Sequence, residues 1–427
     1  MGKRFHNSVQ SGIGWQALTM LLSLMLAMSA ASAFGQQKKN AEPAAATPSL
    51  VGIDIKKVVW PQPPNIARIK YLDYFAGEKL PDFTPKAKKK SGWMDRVAGI
   101  NSNQDDVSAA LRNHYFLGEP HGMAVDSKGK LFVADGKVSA IFIFDPETHE
   151  TKMIKNGKDA SFKLIMGLAM DDNDRLFVAD SGARHILVFN AEHHPEAVIS
   201  EGLSNPVGLA IDTENRFLYV ADVNLDQILV YDADSFQLLR KIGTTGKDHT
   251  LTTAGDFAKP SGVAVDSDGN LYVADMLNAR IEIFDADGNF IRTFGKRGDG
   301  PGYFAMPKGV AIDCDGHIWV TDPQQNRMQV YSSEGQLLIY VGNGQGLLPG
   351  MFSGVQYVTI DKQNRVFTSE VFPGRIQEFR YVTQVEATEE FKRREAAKNK
   401  PAAQKQGTAG QPASPPEKKD SKDSASK

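Results

Sequence analysis

The fold is decided by one stretch of the chain, Pro260-Ser-Gly-Val-Ala-Val-Asp-Ser-Asp-Gly-Asn-Leu-Tyr-Val-Ala-Asp-Met-Leu-Asn-Ala-Arg-Ile-Glu-Ile-Phe-Asp285. It holds three short apolar segments, at 263–265, 271–274 and 281–284, which are separated by polar turns. Segments of this length that are rich in β-branched and aromatic residues are typical of strands. The first turn ends at Gly269, and glycine readily takes the positive φ that a tight hairpin needs. The stretch therefore predicts short strands joined by tight turns.

The same pattern occurs six times between Gly122 and Arg380, and in each copy an aspartate opens the first turn. These aspartates are about 41 to 54 residues apart, which is typical of propeller blades. Segments such as Leu131–Ala134 are almost continuously apolar, so we expect both of their faces to be buried between neighbouring blades. The sequence therefore predicts an all-β fold, a six-bladed β-propeller. The turn aspartates are Asp126, Asp171, Asp212, Asp266, Asp313 and Asp361.

A fourth, outer strand is predicted after each copy, for example at Phe290–Phe294 and Leu337–Val341. The last copy ends at Phe379–Tyr381, where a fourth strand is less evident. The segment Ala67–Phe75 precedes the first copy and has the composition of a strand. If it completes the last blade, it closes the ring and removes the exposed strand edges that invite aggregation. We therefore expect an N-terminal strand to close the propeller.

Three motifs of the repeat, Gly-Val-Ala-Val-Asp, Leu-Tyr-Val-Ala-Asp and Asn-x-Arg-Ile-x-Ile-Phe-Asp, resemble the NHL-repeat family of β-propellers. The resemblance covers residues 120–380 and is to the bacterial exported type. It departs from the pattern in the last copy, where Tyr357 takes the glycine position and Glu370 replaces the second aspartate. The family spans scaffolds, sensor domains, RNA-binding modules and, in relatives, lyases and lactonases. The resemblance therefore implies the architecture and leaves the activity open.

The N-terminus has the layout of a secretory signal. Lys3 and Arg4 precede an uncharged apolar run, Ala17–Ala30, and small residues follow at 31–33. The run is short for a membrane-spanning helix. We expect cleavage after residue 33 and export to the periplasm or the medium, the alternative being a retained N-terminal membrane anchor. Cys314 is the only cysteine, so no intramolecular disulfide forms.

The remaining chain divides by composition. Residues 34–58 are predicted to be a linker, 59–386 the propeller, and 387–427 a disordered tail rich in Lys, Ala, Pro and Ser. An insertion at 76–118 interrupts the ring before the first full copy. Within it, Trp93 and Met94 belong to a short amphipathic pattern that predicts either a cap over one face or a docking element.

The charge of the chain bears on its partners. The formal net charge is −2 and no basic stripe is present, which argues against nucleic acid as a partner. We expect a monomer whose partner is a protein or a cell-envelope polymer, with membrane contact only through an uncleaved N-terminal segment.

One carboxylate recurs near the end of the second strand of each copy. A residue that repeats with the fold is expected to serve the fold, so we predict that these carboxylates accept backbone hydrogen bonds rather than form a metal or acid–base ring. The arginines just before the third strand are expected to pair with aspartates. The carboxylates are Asp135, Asp180, Asp222, Asp275, Asp322 and Glu370, and the arginines are Arg280, Arg327 and Arg375.

The positions just before each first strand are predicted to approach the central channel. A catalytic zinc needs about three protein ligands, and calcium needs several oxygen ligands. This ring has one histidine and no carboxylate, so we predict no catalytic residue, no metal and no cofactor, although His121 with Lys308 suits a small anion. The channel positions are His121, Met166, Val207, Ser261, Lys308 and Gln356.

Two functions follow from these patterns. The first is a non-catalytic, exported binding or scaffold propeller that engages its partner through one face of the ring. The alternative is a metal-dependent hydrolase or lyase centred on the channel, either lactonase-like or amidating-lyase-like.

Overall fold

The computed structural model describes residues 54–78, 114–158, 160–244, 249, 252–342 and 344–398. Within them the strands form six antiparallel sheets, one for each predicted blade, so the predicted six-bladed β-propeller is confirmed. Before the ring come a short 3-10 turn, Ile55–Lys57, and the strands β1 (Val59–Trp60) and β2 (Ile69–Phe75). The blades are blade one, β3 (Pro120–Val125), β4 (Leu131–Asp135), β5 (Ala140–Phe144) and β6 (Thr151–Ile154); blade two, β7 (Ile165–Met170), β8 (Leu176–Asp180), β9 (His185–Phe189) and β10 (Pro195–Ile199); blade three, β11 (Pro206–Asp212), β12 (Phe217–Asp222), β13 (Gln227–Asp232) and β14 (Leu238–Ile242); blade four, β15 (Pro260–Val265), β16 (Leu271–Asp275), β17 (Arg280–Phe284) and β18 (Phe290–Phe294); blade five, β19 (Gly309–Ile312), β20 (Ile318–Asp322), β21 (Arg327–Tyr331) and β22 (Leu337–Val341); and blade six, β23 (Val355–Ile360), β24 (Arg365–Glu370) and β25 (Arg375–Tyr381).

Blade six is completed by the N-terminal strand, as the sequence predicts. Strand β2 pairs antiparallel with β25 in a register that sets Ile69 opposite Tyr381 and Phe75 opposite Ile376. Strand β1 then pairs with β2 and gives this blade a fifth strand. The two ends of the propeller are therefore joined by a continuous ladder of backbone hydrogen bonds, and no open edge is left at the seam.

The two ends of the ring differ in what they carry. We call the end at which each first strand begins the upper face, and it holds the loops between second and third strands and the connections between blades. The opposite end, the lower face, holds the hairpins between first and second strands. These hairpins are tight, as shown by Gly129, which has φ 79° and donates its N–H to the carbonyl of Asp126 over 3.0 Å.

The core consists of apolar clusters between adjacent blades. At the interface of blades two and three, for example, Phe177 and Val188 pack with Leu218 and Tyr231, and all four side chains are fully buried. Second strands such as β4 are buried along their whole length. The near-continuous apolar segments thus lie between neighbouring blades, and this packing of sheet on sheet supplies the stability that no disulfide provides.

The chain continues as a helix beyond blade six, which corrects one prediction. Composition predicts disorder from residue 387, whereas helix α1 runs over Gln384–Lys398. Thr383 and Glu386 form a reciprocal capping box, with each side chain accepting the backbone N–H of the other residue. Arg394 further ties the helix to the N-terminal segment by donating to the Pro64 carbonyl over 3.0 Å. The prediction of disorder is therefore wrong over residues 387–398, because it weighed apolar content and ignored the cap.

Several predicted segments lie outside the described residues. These are the signal segment 1–33, the linker up to residue 53, most of the insertion with Trp93 and Met94, and the tail from residue 399. In the part of the chain that the structure describes, no helix is both long and apolar enough to span a bilayer.

Closure of the ring can be tested on strand β2. Tyr71 is buried and packs edge-on against Phe379, with ring centroids 5.5 Å apart, whereas Tyr74 on the same strand is 43% exposed. We expect Tyr71→Ala to lower the free energy of unfolding by about 3 kcal/mol, because it leaves a cavity at the seam. The matched change Tyr74→Ala should cost less than about 0.5 kcal/mol. Urea unfolding measures both, and equal losses would contradict the importance of this seam.

Candidate functional site

The residues that line the upper mouth of the channel are placed by irregularities in the first strands. In blades one, two, three, four and six the pairing of the first strand with the second shifts register at this position. A bulge of this kind bends a strand locally and re-aims a side chain. In blade five, strand β19 begins at Gly309, directly after the channel position Lys308. Lys308 still donates its N–H to the Thr321 carbonyl over 2.9 Å.

Next to each of these positions the first strands come unusually close to one another. A Cβ on Gly122 would lie 2.7 Å from the Cα of Gly167, and one on Gly309 would lie 2.7 Å from the Cα of Tyr357. Side chains larger than hydrogen therefore do not fit at these glycines without moving backbone. The resulting inner ring is narrow, and it brings the neighbouring side chains of successive blades together.

Three predicted channel residues from blades five, six and one form a polar group. The Lys308 ammonium donates a hydrogen bond to Oε1 of Gln356, and the Gln356 amide nitrogen donates to the Gly354 carbonyl over 2.9 Å. Lys308 also lies 5.5 Å from the centroid of the Tyr357 ring, within cation–π range. His121 is 8% exposed, and within the described part of the chain its Nδ1 has no hydrogen-bond partner.

The protonation of this polar group is set by its burial. Burial lowers the pKa of His121 to about 3, and the nearby positive charge of Lys308 lowers it further in the same direction. Burial likewise lowers the pKa of Lys308 to about 8. At neutral pH the group therefore holds one ammonium and one uncharged imidazole.

The other three predicted channel residues, from blades two, three and four, are of a different character. Met166 packs against the apolar cluster that contains Val207, and Val207 itself is buried. Ser261 is buried and donates its hydroxyl to the Lys308 carbonyl over 2.9 Å, so it ties blade four to blade five. The mouth therefore has a polar half and a largely apolar half.

A cavity of about 380 Å³ occupies the channel towards the lower face. Its wall is formed by the inner glycines, by Tyr357 and by turn aspartates such as Asp126, Asp171 and Asp361, and none of the six predicted channel residues lines it. The prediction of channel residues therefore missed this end. The signal for it was present, because the turn aspartates recur in every copy, but in the sequence they indicate only a tight turn.

The repeated carboxylates at the ends of the second strands accept backbone hydrogen bonds. Asp222 is fully buried, and its two oxygens accept the N–H groups of Ser204, Asn205, Asn224 and Leu225 at 2.7 to 3.2 Å. The aspartates join the loop before their own blade to the loop after their second strand, whereas Glu370 joins the preceding loop to the third strand through Arg375 and Gln377. The other members with backbone donors are Asp135, Asp180, Asp275, Asp322 and Glu370.

The three repeated arginines differ among themselves. Arg280 pairs with Asp275 and Arg375 pairs with Glu370, each over 2.8 Å. Arg327 departs from the prediction, because it donates to the Gln325 side chain and stacks on Tyr340 instead of pairing with an aspartate. The distance from the Arg327 guanidinium to Oε1 of Gln325 is 2.9 Å, and both oxygens of Asp322 accept backbone N–H groups.

The loops of the upper face expose large apolar side chains. Phe372, in the loop between the second and third strands of blade six, is 64% exposed, and Leu277 holds the corresponding position in blade four. Leu164, Tyr303 and Leu348 lie in the connections between blades and are 36% to 43% exposed. We call these five residues the upper rim. Among the described residues, no group of three His, Cys, Asp or Glu side chains is arranged to hold a metal.

The burial of His121 predicts a specific pH dependence. The unfolded chain binds a proton at this histidine below about pH 6.5, whereas the folded protein does so only near pH 3, so stability falls as the pH drops from 6.5 towards 3. Between pH 7 and pH 4 we expect the free energy of unfolding to fall by about 3 kcal/mol more in the wild type than in His121→Gln.

Urea titrations at the two pH values measure this difference. The change His194→Gln, at an exposed histidine, is the matched control and should leave the wild-type pH dependence unchanged. A His121→Gln variant with the same acid sensitivity as the wild type would contradict the neutral, buried state of His121.

Comparisons with known proteins agree with this architecture. Residues 256–400 match a family model described as a six-bladed β-propeller, 185–297 match the SMP-30/gluconolactonase/LRE-like region, and 117–144 match the NHL repeat. No curated protein matches the chain.

Solved structures with the same fold include three of low identity. A protein of unknown function from Bacteroides thetaiotaomicron is 15% identical with a TM-score of 0.50, and the match covers 62% of this chain and 70% of that one. A gluconolactonase from Xanthomonas campestris is 20% identical with a TM-score of 0.48, covering 62% and 86%. A streptogramin B lyase is 15% identical with a TM-score of 0.47, covering 62% and 94%. These likenesses concern the fold alone. The chain is a six-bladed β-propeller, and its first blade carries a match to the NHL repeat.

Proposed function

We propose that this protein is a non-catalytic binding module that engages a protein partner through its upper face. The observation that carries the proposal is the upper rim, whose apolar side chains lie on the same face as a mouth that holds a lysine. Scattered exposed apolar residues are ordinary on a protein surface, but a set grouped on one face around a charged centre is typical of an interaction site.

The apolar members of the rim supply the contact energy of such an interface. Burial of an exposed side chain as large as Phe372 contributes about 1.5 to 3 kcal/mol, and aromatic anchors dominate many protein interfaces. The loops that carry the rim are held by the buried carboxylates at their bases, as Glu370 holds the backbone N–H of Ser353 over 2.8 Å. A rigid frame lowers the entropy cost of binding.

The charge at the centre supports a protein partner with an acidic group. Lys308 forms no ion pair with a carboxylate in the part of the chain that the structure describes. A partner that places an acidic side chain or terminus at the mouth would be matched in charge, and such complementarity favours one orientation of binding.

A channel-centred hydrolase or lyase is the second candidate, favoured by the match of residues 185–297 to the gluconolactonase-like model. The channel positions in that segment are Val207 and Ser261. Val207 has no acid–base group, and the Ser261 hydroxyl is engaged with the Lys308 carbonyl. The binding role is therefore the one that the geometry of the mouth supports better.

Site-specific photo-crosslinking tests the binding role. A photoreactive phenylalanine analogue at Phe372, in cells of the source organism, is expected to give a covalent protein adduct that mass spectrometry maps to one partner surface. The matched position is Phe290, which is 39% exposed on the outer strand of blade four and should give none.

Two results would contradict this proposal. One is an adduct to a polysaccharide, which would identify an envelope polymer as the partner. The other is stoichiometric calcium or zinc in the purified protein that is lost in His121→Ala or Gln356→Ala, which would favour the enzyme.

We also propose that the protein is exported, on the strength of the basic, apolar and small-residue segments at its N-terminus. When the chain is expressed in a secretion-competent bacterium, the isolated protein should begin at Phe34. Intact-mass measurement checks this, and a full-length chain in the membrane fraction would indicate a retained anchor instead.

A further inference from the structure

Lys308 is a positive charge that the described structure leaves without a negative partner. Its ammonium contacts the neutral oxygen of Gln356 and the face of Tyr357. Lys308 is partly buried, and charges withdrawn from water are normally compensated by an opposite charge, because neutral dipoles recover only part of the lost hydration. A negatively charged group at this point of the mouth would therefore stabilise the Lys308 ammonium.

His121 adds a buried polar atom that can form a further hydrogen bond beside Lys308. It is more than nine-tenths buried, its Nδ1 has no partner among the described residues, and it is close enough for the Lys308 charge to lower its pKa. A buried polar atom without a partner costs about 1 to 3 kcal/mol. The uncharged imidazole keeps one N–H. In the tautomer that has this hydrogen on Nδ1, it can donate to an acceptor that enters the mouth.

We propose that the upper mouth of the channel binds one carboxylate group, held between the Lys308 ammonium and the His121 imidazole. One cation and one neutral donor match a singly charged group with two acceptor oxygens. A dianionic phosphate would bring a second negative charge, which the six channel positions have no second cation to meet.

The surroundings of the two donors fit this assignment. Gln356 is oriented by the Gly354 carbonyl, so its oxygen faces Lys308 and holds the ammonium in place. Met166 and Val207 form the opposite, apolar half of the mouth, where a carboxylate would find no donor. The ligand therefore lies on the side of blades five, six and one. The site stands whether or not the upper rim binds a protein, since a free small acid and the terminus of a peptide carry the same group.

The probe for the test is carbon-13-labelled acetate, whose methyl relaxation quickens when it binds a large protein. With the purified full chain at pH 6.5 we expect faster relaxation that saturates with acetate concentration. Lys308→Met should weaken the affinity at least about tenfold, and His121→Leu about threefold or more. The control is Lys163→Met, an exposed lysine on the same face, which should bind as the wild type does.

The same measurement at higher pH tests whether acetate binding requires the charged form of Lys308. Lys308 has a pKa of about 8, so it is largely neutral at pH 9.5, and acetate affinity should fall roughly thirtyfold relative to pH 6.5. The titratable groups beside the ammonium are His121 and Tyr357. His121 stays uncharged over this range, and burial raises the pKa of Tyr357, so neither offsets the loss.

Two further probes distinguish the sources of the carboxylate. If N-acetylglycylglycine competes with acetate and its C-terminal amide does not, the site accepts a peptide terminus. If neither competes, the site takes small free acids. Relaxation of acetate that is equal in the wild type and Lys308→Met would overturn the proposal. Because photo-crosslinking at the rim does not depend on acetate, failure of this site and failure of the protein-binding role are told apart.

Discussion

The close approach of the six first strands around the axis is the constraint on which the rest of the structure depends. At Gly262, an added Cβ would lie 2.9 Å from the Cα of Gly309 in the next blade, so the inner ring exists only because these residues lack side chains. The spacing has two consequences. It closes the channel to a narrow passage, and it sets the residue before each glycine beside its counterparts in neighbouring blades. The polar group at the mouth is a product of that geometry.

The buried carboxylates hold the loops of the upper face in place by hydrogen bonds. Because most of them accept several backbone N–H groups, as Asp222 does, the loops of the upper face are fixed to the ends of the second strands rather than left to solvent. Blade six achieves the same with a longer side chain. Glu370 there accepts bonds from the Ser353 backbone, from Arg375 and from Gln377, and its pKa is raised by burial despite these partners. A substitution that seemed irregular in the sequence thus preserves the function of the position.

The sequence predicted what repeats and was less informative about what does not. Blade number and the hydrogen bonding of Asp222 follow from short-range patterns that recur in each copy, and closure follows from the single strand-like segment before the first copy. The bulges that aim His121 are invisible in the sequence, because they depend on how closely neighbouring blades approach. Arg327 donates to its neighbour Gln325 rather than to an aspartate. Helix α1 was missed because its start is marked only by Thr383 and Glu386. The rim lies in loops, where no periodic pattern marks which side chain is exposed.

The polar half of the mouth coincides with the seam of the ring, and this follows from how the seam is built. The polar side chains come from blade six, which is made from both ends of the chain, and from its two neighbours. They are Gln356 in blade six, Lys308 in blade five and His121 in blade one. Tyr357, the residue that replaces glycine, packs in the cluster between blades six and one together with Phe75 of the closing strand. Five copies share glycine at this position, and only the seam admits a large side chain there. Tyr357, which accommodates closure, therefore also makes one side of the channel different from the others. A ring of six identical blades would lack such a side, and a site for a single ligand requires one.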